Sequence, residues 1–164
     1  MATITTLSNA ISAGTHPSRA IRAMPYVVEN TINFATATTA KGSALAAADV
    51  IEALQIPAQS IVLAAGYEVL SAITGDVTMS LGVTGVTAAA YVSGATLAAA
   101  TAVGTYGTPA TAGYPIVSQS ADTLDLLIAT STTALSAGSV RVFAVIVDAN
   151  DRVGPASVKR EQLA

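Results

Sequence analysis

The sequence predicts an all-β fold, an antiparallel β-sandwich or jelly-roll-like body preceded by an extended N-terminal arm. Three observations carry this. Several segments alternate apolar and polar residues with a period of two, most cleanly Val77 to Val83, where Val77, Met79, Leu81 and Val83 oppose Thr78, Ser80 and Gly82. Gly-, Pro- and Asp-containing turn signals separate these segments at short intervals. No strongly amphipathic helix interrupts them. The chain divides into an arm, residues 1–25, a β-sandwich body, residues 26–150, and a basic C-terminal tail, residues 151–164.

Taken in order, the first 25 residues hold Gly14, Pro17, Pro25 and the single histidine, with Ile4, Leu7 and Ile11 spaced too loosely for a packed element. They read as an extended or partly helical segment that docks on another surface. Tyr26, Val28, Ile32 and Phe34 then share one face of a strand, interrupted by Asn30. Residues 35–47 read as a small-residue loop. Asp49 to Ile56, β-branched and stopped by Pro57, is a second strand. Ile61 to Ile73 is a third, with a bulge or bend expected at Gly66. Thr74-Gly75-Asp76 reads as a turn into the half-exposed strand Val77 to Val83. Residues 84–113, rich in Gly, Ala and Thr, read as a long loop with one or two short strands, one at Thr101 to Tyr106. Period two resumes at Tyr114 to Val117 and Thr123 to Ile128. Thr130 to Ser139 reads as a hairpin connection. Val140 to Val147, apolar on both faces except at Arg141, reads as a central strand covered on both sides, and Asp148-Ala-Asn-Asp151 as the turn that ends the body.

Composition bounds the function. The 164 residues suit one domain large enough to bury a core without disulfides or metals. With 52% hydrophobic residues and a net charge of −3, the chain is not disordered throughout. A pI near 4.8 offers no broad basic face for nucleic acid. The longest apolar run, Val142 to Val147, is far short of the roughly 20 residues of a membrane span. The N-terminus shows neither the basic nor the apolar region of a secretory signal. With no cysteine, thiolate catalysis and Cys-ligated metal sites are excluded. Charge is segregated: between Gly42 and Val140 there is no Lys or Arg, only Asp49, Glu52, Glu68, Asp76, Asp122 and Asp125. Such a body is expected to share its surface with partners or to keep it polar with Thr and Ser.

No catalytic constellation emerges, and the chain reads as a non-enzyme without cofactor or metal. His16 lies beside Pro17 in the arm, without the rigid support a general base needs. There is no nucleophile elbow, phosphate loop or dinucleotide fingerprint. Asp122 and Asp125, three apart on a strand, point to opposite faces, and Asp49 and Glu52 do the same; both pairs read as solvated turn and strand-end charge. The run from Asp148 fails as a calcium loop, because Arg152 and Lys159 stand where ligands belong. With no Trp and two Phe, stacking surfaces are poorly supplied. Tyr91, Tyr106 and Tyr114 either plug strand ends with wet hydroxyls or line a subunit interface.

Asp49-Val-Ile-Glu-Ala-Leu-Gln-Ile-Pro-Ala-Gln-Ser-Ile-Val-Leu, Gly75-Asp-Val-Thr-Met-Ser-Leu-Gly-Val, Ala121-Asp-Thr-Leu-Asp-Leu-Leu-Ile and Val140-Arg-Val-Phe-Ala-Val-Ile-Val-Asp148 together resemble the head decoration, or capsid cement, proteins of tailed bacteriophages. The resemblance covers about residues 26–150. It implies a trimer on the outer capsid surface, assembled in the host cytoplasm, that bridges neighbouring major capsid protein subunits. On that implication the capsid contacts fall to His16, Arg19 and Arg22 in the arm, or to Arg152, Lys159 and Arg160 in the tail, and the subunit-interface candidates are Tyr91, Tyr106 and Tyr114. The alternative is a receptor-binding or tail- and fibre-associated virion domain whose Tyr-Gly loop touches the host surface.

Overall fold

The computed structural model describes residues 3–5, 25–83, 85, 87–107 and 115–148. The chain runs β1 (Thr3–Thr5), β2 (Tyr26–Asn33), α1 (Phe34–Lys41), β3 (Val50–Ile56), β4 (Ser60–Val83), β5 (Thr87–Ala98), β6 (Ile116–Ser118) and β7 (Asp122–Asp148). All seven strands belong to one mixed sheet, ordered β1-β3-β7-β4-β5, with β2 added to β7 and β6 to β4. Among the described residues only β1 and β3 pair in parallel.

Two long strands organise the molecule. β4, 24 residues, and β7, 27 residues, run antiparallel from Ser60 opposite Asp148 to Gly82 opposite Asp125. At one end β2 joins β7 over Ser139 to Ile146, and β6 joins β4 over Ser60 to Val62. At the other end β3 joins β7 over Asp122 to Leu127, and β5 joins β4 over Asp76 to Val83. Between them the β4–β7 register slips repeatedly, from Val69 to Val77, and such irregularities bend a ribbon and raise its twist. The ends therefore face each other as the two layers of a sandwich, as the alternation predicted. Two buried bonds cross between the layers. Asn30 Nδ2 on β2 donates to the Ala53 carbonyl on β3 at 2.9 Å, and the Tyr91 hydroxyl on β5 donates to the Val62 carbonyl at 3.0 Å. Between the layers lie Ile32, Phe34, Leu45, Ile51, Tyr67, Met79, Leu81, Leu97, Leu124, Leu126 and Ile128, nearly inaccessible to solvent. Burial of each aliphatic chain is worth about 1.5–3 kcal/mol.

Several local expectations are corrected. Residues 34–41 form a helix, not a loop. Asn33 caps it, its side chain accepting from the Ala35 and Thr36 amides at 2.9 and 3.2 Å, and Gly42 in the left-handed region (φ 80°) ends it. Phe34 and Ala37 are its buried residues. Neither 74–76 nor 130–139 is a turn, because each lies inside a long strand whose partner is the other. Gly75 (φ 141°) and Gly138 (φ 110°) supply the bends. A Cβ at Gly75 would come within 2.8 Å of the Leu135 Cα, and one at Gly138 within 2.8 Å of the Ala72 carbonyl.

The expected bulge at Gly66 lies instead between Val62 and Ala64. Residues 87–98 of the expected long loop are β5, a 12-residue strand whose alanines obscure its alternation, while Ala90, Tyr91, Val92, Ala95 and Leu97 enter the core. Val77 to Val83 is not half-exposed: Ser80 on the outer side is buried and accepts from the Gly94 amide at 3.1 Å. Residues 101–107 do not form a strand, although Tyr106 makes an isolated bridge to Glu68. In β7, Val140, Val142, Ala144 and Ile146 are buried, while Arg141, Phe143, Val145 and Val147 on the second face are half-buried. At the front of the arm, Thr3 to Thr5 pair with Val50 to Glu52, and Ile4 sits in the core.

Candidate functional site

Most residues singled out from the sequence, His16, Arg19, Arg22, Tyr114, Arg152, Lys159 and Arg160, lie outside the described residues, as does the turn after Asp148. The two described tyrosines part company. Tyr91 is a core residue, 4% exposed, with its hydroxyl spent on Val62. Tyr106 is 58% exposed on the 101–107 segment, which is tied to β4 by bonds from the Val69 amide to the Thr105 carbonyl and from the Gly107 amide to the Tyr67 carbonyl.

The acidic pairs are structural. Asp49 is buried, not solvated: it accepts from Lys41 Nζ and, at 2.8 Å, from the Ala46 amide, and Lys41 also donates to the Ala44 carbonyl at 2.9 Å. This knot joins the end of α1 to the start of β3. Asp125 is buried and Asp122 exposed, on opposite faces as the spacing required. Among the described residues no three His, Cys, Asp or Glu side chains converge to hold a metal ion. An open recess beside Gln59, Val117, Ser118 and Gln119 contains no activated nucleophile, since the Ser118 hydroxyl donates to the Ser120 carbonyl at 2.6 Å.

What the fold does assemble is a surface, the outer face of the layer formed by β2, β7, β4 and β6. Register places its residues in rows: Val147, Ile61 and Val117; Val27, Val145 and Ala64; Glu29, Phe143 and Gly66; Thr31, Arg141 and Glu68. Arg141 sits between two carboxylates, donating through Nη2 to Glu68 at 2.5 Å and through Nη1 to Glu29 at 3.3 Å. The Glu68 hydrogen bond and charge push its pKa up further, so the guanidinium stays charged at every accessible pH. The ring of Phe143 lies over Gly66, where a Cβ would stand 3.0 Å from its Cζ. It also packs against the Tyr106 ring in a T-shaped pair, centroids 6.3 Å apart and planes inclined at 76°. Val27 at 65% and Val117 at 62% are exposed on the same face.

The sequence showed the two-faced β7 but not this juxtaposition, because Glu29 and Glu68 reach Arg141 from 112 and 73 residues away. Apolar rows around a cluster of one guanidinium and two carboxylates are the composition of an interaction surface.

No protein-family model and no curated protein matches the sequence. Solved structures that share its fold include chains from two phage capsids. A chain in the cyanophage Pam1 capsid asymmetric unit superposes with a TM-score of 0.56 at 22% identity, covering 86% of this chain and 97% of its own. A chain in the capsid of Ralstonia phage GP4 superposes with a TM-score of 0.63 at 18% identity, covering 90% of this chain and 98% of its own. In both cases the likeness runs through nearly the whole of the other chain.

Proposed function

We propose that this chain is a structural protein of a tailed-bacteriophage virion that binds the outer capsid surface as a homotrimer and stabilises the assembled head by bridging major capsid protein subunits. The observation that carries the reading is the near-complete sharing of fold with chains found in two phage capsids. The apolar outer face agrees with it. Mechanistically, a protein that binds the closed shell but not free subunits shifts the assembly equilibrium by mass action, and three linked copies multiply weak contacts through effective concentration.

The basic residues of the arm, Arg19 and Arg22 with His16, provide the shell contact, and Arg152, Lys159 and Arg160 are the rival set. Because Ile4 is a core residue, the test is charge reversal and not truncation. Arg19→Glu with Arg22→Glu is expected to abolish co-sedimentation with undecorated heads at physiological salt, with the thermal midpoint unchanged. If binding persisted and Arg152→Glu with Lys159→Glu and Arg160→Glu removed it, the tail would hold the contact. If neither set mattered, the charge-based contact would be wrong.

The exposed Tyr106 against Phe143 favours one second reading, a receptor-binding or fibre-associated domain. Glycan-array binding lost in Tyr106→Ala but retained in the arm variant would replace the first reading with this one.

A further inference from the structure

We infer that residues 6–24, the segment between β1 and β2, dock on the outer face of this chain's own β3-β7-β4-β5 layer, with Arg22 set between the carboxylates of Glu52 and Asp125. The inference deepens the shell-binding reading and rests on it for one point: His16 and Arg19 then meet the shell from a segment anchored to the body.

Register builds the groove that receives the segment. Ile51, Leu124 and Leu126 face the core, so Val50, Glu52, Asp125 and Leu127 share the opposite face, with Glu52 directly across from Asp125 and Val50 across from Leu127. Like charges opposed on neighbouring strands repel, and a carboxylate withdrawn from water calls for a cation. Asp125 is only 5% exposed and Glu52 is half-buried. Neither is without a partner, and the two cations among the described residues are committed elsewhere, Lys41 to Asp49 and Arg141 to Glu29 and Glu68. Val50 stands apart from the core between the layers and is still only 2% exposed. On the β4 side of Asp125 the start of β5 closes over Gly82, where a Cβ would come within 2.1 Å of the Thr87 carbonyl oxygen. The face is therefore a covered one, and its cover has to bring positive charge.

The segment before β2 meets both demands. Residues 6–24 hold Arg19 and Arg22 without one Asp or Glu, and their apolar Leu7, Ile11, Ile21 and Met24 suit Val50 and Leu127. The stretch after Asp148 sets Asp151 and Glu161 beside its cations, and residues 84, 86 and 108–114 contain no Lys or Arg. Both ends of the segment are fixed on this chain: Thr5 pairs with Glu52 itself, and Tyr26 opens β2 beside Ile146. No neighbour is needed to bring it there. β2 and β3 lie along one edge of the sandwich, joined by the bond from Asn30 to the Ala53 carbonyl next to Glu52. Arg22 stands four residues before Tyr26, at most about 14 Å of extended chain, against seven residues for Arg19, and so has the shorter tether to that edge.

The test is limited trypsin digestion of the full chain, read by mass, with cleavage after Arg152 as the internal reference. In the unaltered protein cleavage after Arg22 is expected to be slow. Glu52→Gln with Asp125→Asn is expected to speed it by about tenfold or more, because cleavage follows the population of the undocked segment, and to leave the rate after Arg152 unchanged. The two layers stay packed when the segment lifts, so the thermal midpoint hardly moves and protection is the informative readout. Equal rates after Arg22 in the two proteins overturn the inference. A rise confined to Arg19 overturns the choice of Arg22, and protection lost on dilution overturns docking on the same chain. Should the acceptor variant fail to fold by circular dichroism, Arg22→Gln replaces it: faster cleavage after Arg19 supports the inference and an unchanged rate overturns it. Head binding is measured in parallel. Protection at Arg22 in a protein that binds no heads sinks the proposed function and spares the inference, and head binding without that protection does the reverse.

Discussion

Lys41 and Asp49 show how a residue pair can carry structural weight in a chain with few charges. Both side chains are largely buried, and Lys41 also holds the Ala44 carbonyl, so one ammonium pins the connection from α1 to β3. Lys41→Met is expected to cost roughly 3–5 kcal/mol in chemical denaturation, because it deprives a buried carboxylate of its cation. Lys41→Met with Asp49→Leu should recover much of that loss, since removing both partners avoids the stranded charge. Tyr67 sets an alkaline limit. Its burial pushes the phenol from 10.0 up to about 12, so the unfolded chain ionises first as pH rises. Stability from this group is complete below pH 10 and falls between pH 10 and about 12. Tyr67→Phe should flatten that decline in a series of melts across the window, and an unchanged slope would exclude Tyr67 as its source.

At the scale of elements, length and partnership decided what local pattern could not. Residues 130–139 carry so much Ser, Thr and Ala that they look like a connection, yet they continue β7 because β4 lies alongside and satisfies their backbone groups. The bend that folds this ribbon depends on backbone that only glycine adopts at ease. Gly138→Ala is expected to destabilise by about 1–3 kcal/mol, through its positive φ and the collision with the Ala72 carbonyl. Gly94→Ala is the comparison: its φ is also positive, but a Cβ there meets nothing within 4 Å, so it should cost less. Equal losses in the two variants would show that crowding at the bend adds nothing beyond backbone strain.

For the molecule as a whole, two strands belong to both layers, so neither layer has a sheet of its own. β4 and β7 tie β2 and β6 to β3 and β5, and bonds from Asn30 and Tyr91 join the layers through the core. Unfolding is expected to be a single transition, with far-UV circular dichroism and tyrosine fluorescence coinciding along a denaturant series. Leu81→Ala in one layer and Val142→Ala in the other should shift that one midpoint without splitting it. Two separated transitions would mean that the bend uncouples the layers.

Alternation and composition were enough for the all-β class, the inward positions of β2 and of the strand from Val77 to Val83, the opposed faces of Asp122 and Asp125, and the segregation of charge. All of these depend on alternation or composition within a few residues. The sequence also contained the caps of α1, Asn33 and Gly42, although alanine- and threonine-rich surroundings made the helix read as a loop. Long-range pairing makes the apparent turns strand interiors, assigns Tyr91 to the core and Tyr106 to the surface, and brings Glu29, Arg141 and Glu68 together on one face. The physical reason is register: a strand's side-chain alternation is local, but the neighbour that completes its hydrogen bonds and covers its face comes from far along the chain.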